Sequence, residues 1–134
     1  MQALYRRVAG IDVHRLRQVA TILIEQDDGG TEKHSPEFGG FEQDLGWLVA
    51  WLNRDEVERV VIQSTGIYWK SLYAHLERAG IETWVVDAHH IKNIPGRKTH
   101  RGDSHWLAEL GRFGLVRPSF VPVRDLRELR LISR

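Results

Sequence analysis

A chain of 134 residues suits one domain and can bury a real core, for which five Trp, four Phe and three Tyr supply large apolar groups. It has no cysteine, which excludes disulfides and thiolate metal sites. No apolar run approaches the roughly 18 to 20 residues of a membrane span, and the start at Met1 has no signal-peptide character, so the expectation is a cytoplasmic protein. The net charge of +1 conceals a split: residues 1–91 hold 9 Lys/Arg against 14 Asp/Glu, and residues 92–134 hold 10 against 4. That pattern suits a polyanion partner near the C-terminal third, and equally a solvated basic face.

In chain order, Val8-Ala9-Gly10-Ile11-Asp12 reads as a short buried strand ending in a carboxylate. Residues 19–25 are β-branched and strand-like. Asp27-Asp28-Gly29-Gly30 signals a turn, after which residues 31–38 pair back as a further antiparallel arm. Phe41, Leu45, Leu48 and Leu52 recur at helical spacing, predicting an amphipathic helix over 41–53. Residues 57–62 form the next strand. Tyr68, Leu72 and Leu76 mark a second helix that Gly80 terminates, and residues 83–86 form another strand. This alternation implies parallel crossovers. A third helix is expected over about 99–113, with Trp106, Leu107 and Leu110 on its apolar face. Pro118 and Pro122 bracket an extended segment. The expected domain is therefore 1–123, and residues 124–134 begin a linker or coiled-coil helix that stops at Arg134.

Three antiparallel strands followed by helix, strand, helix, strand and helix describe an α/β, ribonuclease H-like mixed sheet. In that architecture the ends of the first and fourth strands lie close together, and a late helix brings further side chains to them. Phosphodiester chemistry at such a place uses carboxylates to hold two hard cations about 4 Å apart. Here Asp12 ends the first strand, and Gln63 ends the fourth. His100 and Asp103 stand at i and i+3 on the late helix. Gln63 offers an amide oxygen without charge. His100 offers a nitrogen, which suits Mn²⁺ or Zn²⁺ better than Mg²⁺.

The landmarks Gly10-Ile11-Asp12-Val13-His14, Trp51-Leu52, Ser64-Thr65-Gly66-Ile67-Tyr68-Trp69, Pro95-Gly96-Arg97-Lys98-Thr99 and Asp103 with Trp106-Leu107-Ala108 come in a telling order. They are followed by residues 114–122 and by Arg127-Glu128-Leu129-Arg130. Together they resemble the N-terminal domain of DEDD-type transposases of the insertion-sequence-110 family, over about residues 8–134. That family is similar in this domain to Holliday-junction resolvases of the RuvC type. The resemblance implies a four-acid site, Mg²⁺, recombination of DNA at the ends of a mobile element and guidance by a structured RNA. It also implies a coiled coil and a C-terminal domain with a serine nucleophile, neither of which is read in these residues. Of the four acids, the first falls on Asp12 and the last on Asp103; the second falls on Gln63 and the third on His100.

The expected catalytic set is thus Asp12 and Asp103, with Gln63 and His100 at substituted positions. The metal ligands are Asp12, Asp103 and His100, with Mg²⁺ binding weak and Mn²⁺ an alternative. For Asp12 the plain alternative is a solvated strand end; for Asp103 it is a first-turn residue favouring the helix dipole. Arg97, Lys98 and Arg101 are candidates for nucleic-acid phosphates, or else a solvated helix start. Gly66 permits positive φ in the turn, and Tyr68 and Trp69 are read mainly as core. His89, His90 and His105 lack the tight spacing of a zinc site. The leading functional reading is a transposase-derived domain that binds nucleic acid and is inactive alone. The alternatives are an active Mn²⁺- or Mg²⁺-dependent nuclease with a modified site, and a dimerising regulatory fragment that homo-oligomerises through the C-terminal helix.

Overall fold

The computed structural model describes residues 3–63, 66–87 and 103–116. Nine elements follow in chain order: β1 Arg7–Val13, β2 Arg17–Glu25, β3 Thr31–His34, β4 Glu37–Gly39, α1 Glu42–Arg54, β5 Arg59–Gln63, α2 Trp69–Arg78, β6 Thr83–Val86 and α3 Asp103–Arg112. The strands form one six-stranded sheet in the order β3-β2-β1-β5-β6, with β4 also on β2. β2 runs antiparallel to β1, β3 and β4, whereas β5 is parallel to both β1 and β6. This is the mixed sheet expected from the sequence, with one refinement. The arm read as continuous over 31–38 is broken into β3 and β4 around Pro36, which has no N–H to donate to a ladder. Its carbonyl still accepts from Ala20 N at 3.0 Å, so the arm follows β2 on both sides of the break.

Alternation along the strands sorts the core into two faces. Ala9, Ile11, Val13, Ala20, Ile22, Ile24, Val60, Ile62 and Val85 point to one face, where Leu45, Leu48 and Leu52 of α1 and Leu72 and Leu76 of α2 cover them. Each of these leucines is buried and contributes about 1.5–3 kcal/mol by leaving water. At the start of α1 the Phe41 N–H donates to the Asp44 carboxylate at 3.0 Å, satisfying a group the helix cannot. Gly80 ends α2 with φ +75°, a conformation that costs a glycine nothing.

The other face carries Val8, Leu23 and Val61, and α3 lies across it through Trp106, Leu107, Ala108 and Leu110. Two glycines set how closely the helix sits. A Cβ on Gly10 would collide with the Ser104 carbonyl and the Ala108 nitrogen, and one on Gly111 would lie 2.6 Å from a Val61 methyl. The helix begins at Asp103 among the described residues, and the expected start near 99 lies outside them. Residues 88–102 and 117–134, including Pro118, Pro122 and the segment 124–134, also lie outside them.

Candidate active site

Asp12 and Gln63 come together through register. Ile11 of β1 is level with Ile62 of β5 in the parallel pairing, so the next residue of each strand, Asp12 and Gln63, emerges at the same end of the sheet. Both belong to the face covered by α3, because each stands two residues beyond Gly10 or Val61 on its strand.

Asp103 reaches the same place by the direction of α3. Gly111 packs at Val8 and Val61, and Ser104, Leu107 and Ala108 pack at Gly10, so the helix runs against the direction of β1. Two strand residues advance about 6.6 Å, the rise of about 4.4 helical residues. Continuing from Gly10 to Asp12 therefore leads back past the first turn of the helix, where Asp103 stands. Its side chain is on the flank of Leu107, one turn on, which faces the sheet.

Asp12 is half-buried, its side chain 23% exposed, and its Oδ2 lies 3.0 Å from His14 Nε2. The turn that presents His14 is held by Gln18 Nε2, which donates to the His14 carbonyl at 2.7 Å. Arg17, next along, forms a two-point pair with Glu37, 2.6 Å at Nη2 and 3.2 Å at Nε. Those contacts raise the Arg17 pKa above its ordinary value through hydrogen bonding and charge, against a small desolvation, and the field of Asp12 adds to the shift. Behind the carboxylates, Thr21 and Ser104 share a buried hydrogen bond of 2.7 Å. Around the rim, Leu16, Phe41, Ile67 and Tyr68 are exposed on loops at this end of the sheet.

Of the residues expected from the sequence, strand register sets Asp12 and Gln63 at one end of the sheet, and the direction of α3 turns the helix start that carries Asp103 towards that end. His100, Arg97, Lys98 and Arg101 lie outside the described residues, as do His89 and His90. His105 bonds Glu109 at 3.0 Å, one turn along its own helix. Gly66 has φ +65°, the turn conformation expected of it. Trp69 packs against the core and meets Tyr73 edge to face, but Tyr68, at the N-cap of α2, is 46% exposed. Sequence reasoning passed over His14 and Asp87. Asp87 follows β6 directly, where Val86 is level with Gln63, so it is a further exposed carboxylate at this sheet end. Its signal was present: ligand-contacting residues collect at the carboxyl ends of parallel strands.

The donor set bears on the cations that the fold implies. Among the described residues, no group of three or more His, Asp or Glu stands ready to hold a metal ion. Two carboxylates and one neutral amide oxygen suit a single cation, with Mn²⁺ more tolerant of this set than Mg²⁺. They do not suit a pair of divalent ions, whose charge needs more acids. When bound, a cation there would polarise a phosphodiester oxygen, and Asp12, Asp103 and the Gln63 amide would hold it.

Comparison with solved structures places this geometry. Thermus thermophilus RuvC in complex with a Holliday junction substrate superposes with a TM-score of 0.57 at 14% identity, over 84% of this chain and 99% of that one. A second T. thermophilus RuvC structure gives 0.56 at 15% identity, with the same coverage. The fold is ribonuclease H-like, of the type found in RuvC. In sequence, residues 9–134 match the insertion-sequence-110 DEDD family, described as Transposase. The chain belongs to that transposase family. No curated protein matches the sequence. No helix among the described residues is long and apolar enough to cross a membrane.

Proposed function

We propose that this chain is a nucleic-acid-binding domain of an insertion-sequence recombinase, and that it does not cleave DNA by itself. The observation behind this is the donor set. The position level with Asp12 on the neighbouring parallel strand is Gln63, which brings no charge, and another of the four acid positions is His100. Relative to four acids the site is short of two negative charges, and it binds divalent cations correspondingly weakly. Branched DNA is the partner to try first, because a solved neighbour of the same fold holds a Holliday junction. Arg97, Lys98 and Arg101 would meet its phosphates, and the fold's rim would face the strand junction. A structured RNA is a second polyanion of the same chemistry. Residues 1–123 form the domain in this reading, and 124–134 lead into a helix that joins copies of the chain.

The test is binding of a four-way junction by fluorescence anisotropy over a salt series, beside nicking of supercoiled plasmid with Mg²⁺ or Mn²⁺. The reading expects junction binding that weakens steeply with salt and no nicking. It expects cation binding to rise in Gln63→Glu, His100→Asp. Nicking by the unaltered chain, lost in Asp12→Asn, would replace it with an active nuclease. Asp12 and Gln63 at one sheet end, with the start of α3 turned towards them, favour that second reading over the regulatory fragment.

A further inference from the structure

α3 is attached to the rest of the molecule at two ends by different means. At its C-terminal end the Arg112 carbonyl accepts from Leu4 N and Tyr5 N at 2.8 and 3.3 Å, and the Arg112 guanidinium lies 3.5 Å from Glu25. Along its middle the contacts are apolar, through Leu107, Ala108 and Gly111. At its N-terminal end a buried side-chain hydrogen bond crosses to β2. Thr21 Oγ1 and Ser104 Oγ meet at 2.7 Å, 83 positions apart in sequence. Thr21 is 2% and Ser104 5% exposed.

Thr21 pairs with Gly10 in the antiparallel register, and the Ser104 carbonyl lies over the bare Cα of Gly10. The three residues form a cradle under the first turn of α3. Ser104 adjoins Asp103, and Gly10 is two residues before Asp12 on the same face. Apolar packing fixes how close a helix sits but lets it slide or turn slightly; a short O–H···O bond fixes direction as well as distance. Stability alone gives little reason for the hydroxyls, because replacing both partners by apolar groups of the same shape is nearly neutral.

We infer that Thr21 and Ser104 are positioning residues that hold the first turn of α3 where Asp103 meets Asp12 and Gln63. The inference rests on the proposed function only in that Asp12 and Asp103 share one site. Partners behind the ligands orient them, and altering such partners commonly costs about 10- to 100-fold in metal affinity. Thr21 and Ser104 touch no substrate; they act through Asp103.

The test uses the full chain and Mn²⁺ alone, with affinity read by electron paramagnetic resonance and the Asp12 and Asp103 carboxyl ¹³C shifts read by NMR. Thr21→Val and Ser104→Ala each lower Mn²⁺ affinity about tenfold, and Thr21→Ser restores it. The double variant, Thr21→Val with Ser104→Ala, melts close to the unaltered chain yet still binds Mn²⁺ weakly. Ile22→Val, on the opposite face, lowers the melting temperature and leaves Mn²⁺ affinity unchanged. A double variant with unaltered Mn²⁺ affinity and unaltered Asp103 shift overturns the inference. If the unaltered chain binds no Mn²⁺, the acid-site reading fails separately, and the shifts decide. An Asp103 shift moved by Thr21→Val and restored by Thr21→Ser upholds the positioning role, and an unmoved shift refutes it.

Discussion

Beneath α1 and α2 the centre of the sheet is aliphatic, with Ile11, Ile22 and Ile62 covered by five leucines of the two helices, all fully buried or nearly so, and polar residues such as Gln18, His34 and Thr83 stand only towards its margins. Beneath α3 the same strands carry Gly10, Asp12, Thr21, Arg59 and Gln63. Arg59 is 4% exposed, with its guanidinium 3.9 Å from the Trp84 ring centre and 4.5 Å from that of Tyr5, and it reaches Glu82 at 2.7 Å. Its Nε and Nη1, like Trp106 Nε1 and Arg112 Nε, have no hydrogen-bond partner among the described residues. One face is therefore mainly aliphatic at its centre, and the other accepts more polar burial and the tighter fits at Gly10 and Gly111.

The contrast can be broken from either side. Leu48→Ala on the aliphatic face should cost about 2–5 kcal/mol in denaturant unfolding, through lost burial and the cavity left behind. Junction binding by the fraction still folded should not change; a large loss of affinity would mean that the faces are not separable. Gly10→Ala should cost less, about 1–3 kcal/mol, because its methyl forces the Ser104 carbonyl and the α3 backbone outward. Its signature is disproportionate: Mn²⁺ binding should fall further than in any variant of equal stability on the aliphatic face. Equal losses from the two faces would sink the distinction.

The smallest effect concerns the far end of the sheet. His34 on β3 bonds Asp55, just past α1, at 2.9 Å. That bond holds the imidazole above its ordinary pKa of 6.5, against some desolvation and with help from the charges of Asp55 and Glu32. A raised folded pKa means that the stability it contributes is complete below about 6.5 and disappears as pH rises through the folded value. The melting temperature should drift down by a degree or two between pH 6 and pH 9. His34→Gln should flatten that slope while leaving Mn²⁺ and junction binding as they were. A slope that persists in the variant would assign the pH dependence to another group.

The sequence carried the sheet well because its elements have strong signals: Gly29-Gly30 for the hairpin, Gly80 after α2, and the apolar and β-branched runs of β1 and β2. It pointed to Asp12 and Asp103 because an acid near a strand end and another at a helix start, at the family's spacing, mark a pattern. It did not show the break at Pro36 as a division of one arm, since pairing on both sides of a proline depends on the neighbouring strand. Nor did it show the Thr21–Ser104 bond or the His14–Asp12 contact. A hydroxyl in a β-branched strand and a histidine in a turn carry no mark of what they will face, and only the crossing of α3 over β1 and β2 brings Thr21 to Ser104. Tyr68 stands at helical spacing from buried Leu72, yet at the N-cap of α2 it is exposed, which spacing alone does not show.

The close seat of α3 on Gly10 also bears on how such a gene would age. Gln63 lies at the rim of the sheet and is only half-buried, so an acid there can change to an amide with little effect on the fold. Gly10 has no functional group to lose, yet any side chain there strikes the helix backbone. A copy released from selection for DNA cleavage would therefore shed its acids early, while selection for a folded, binding-competent chain would keep the glycine that once served them.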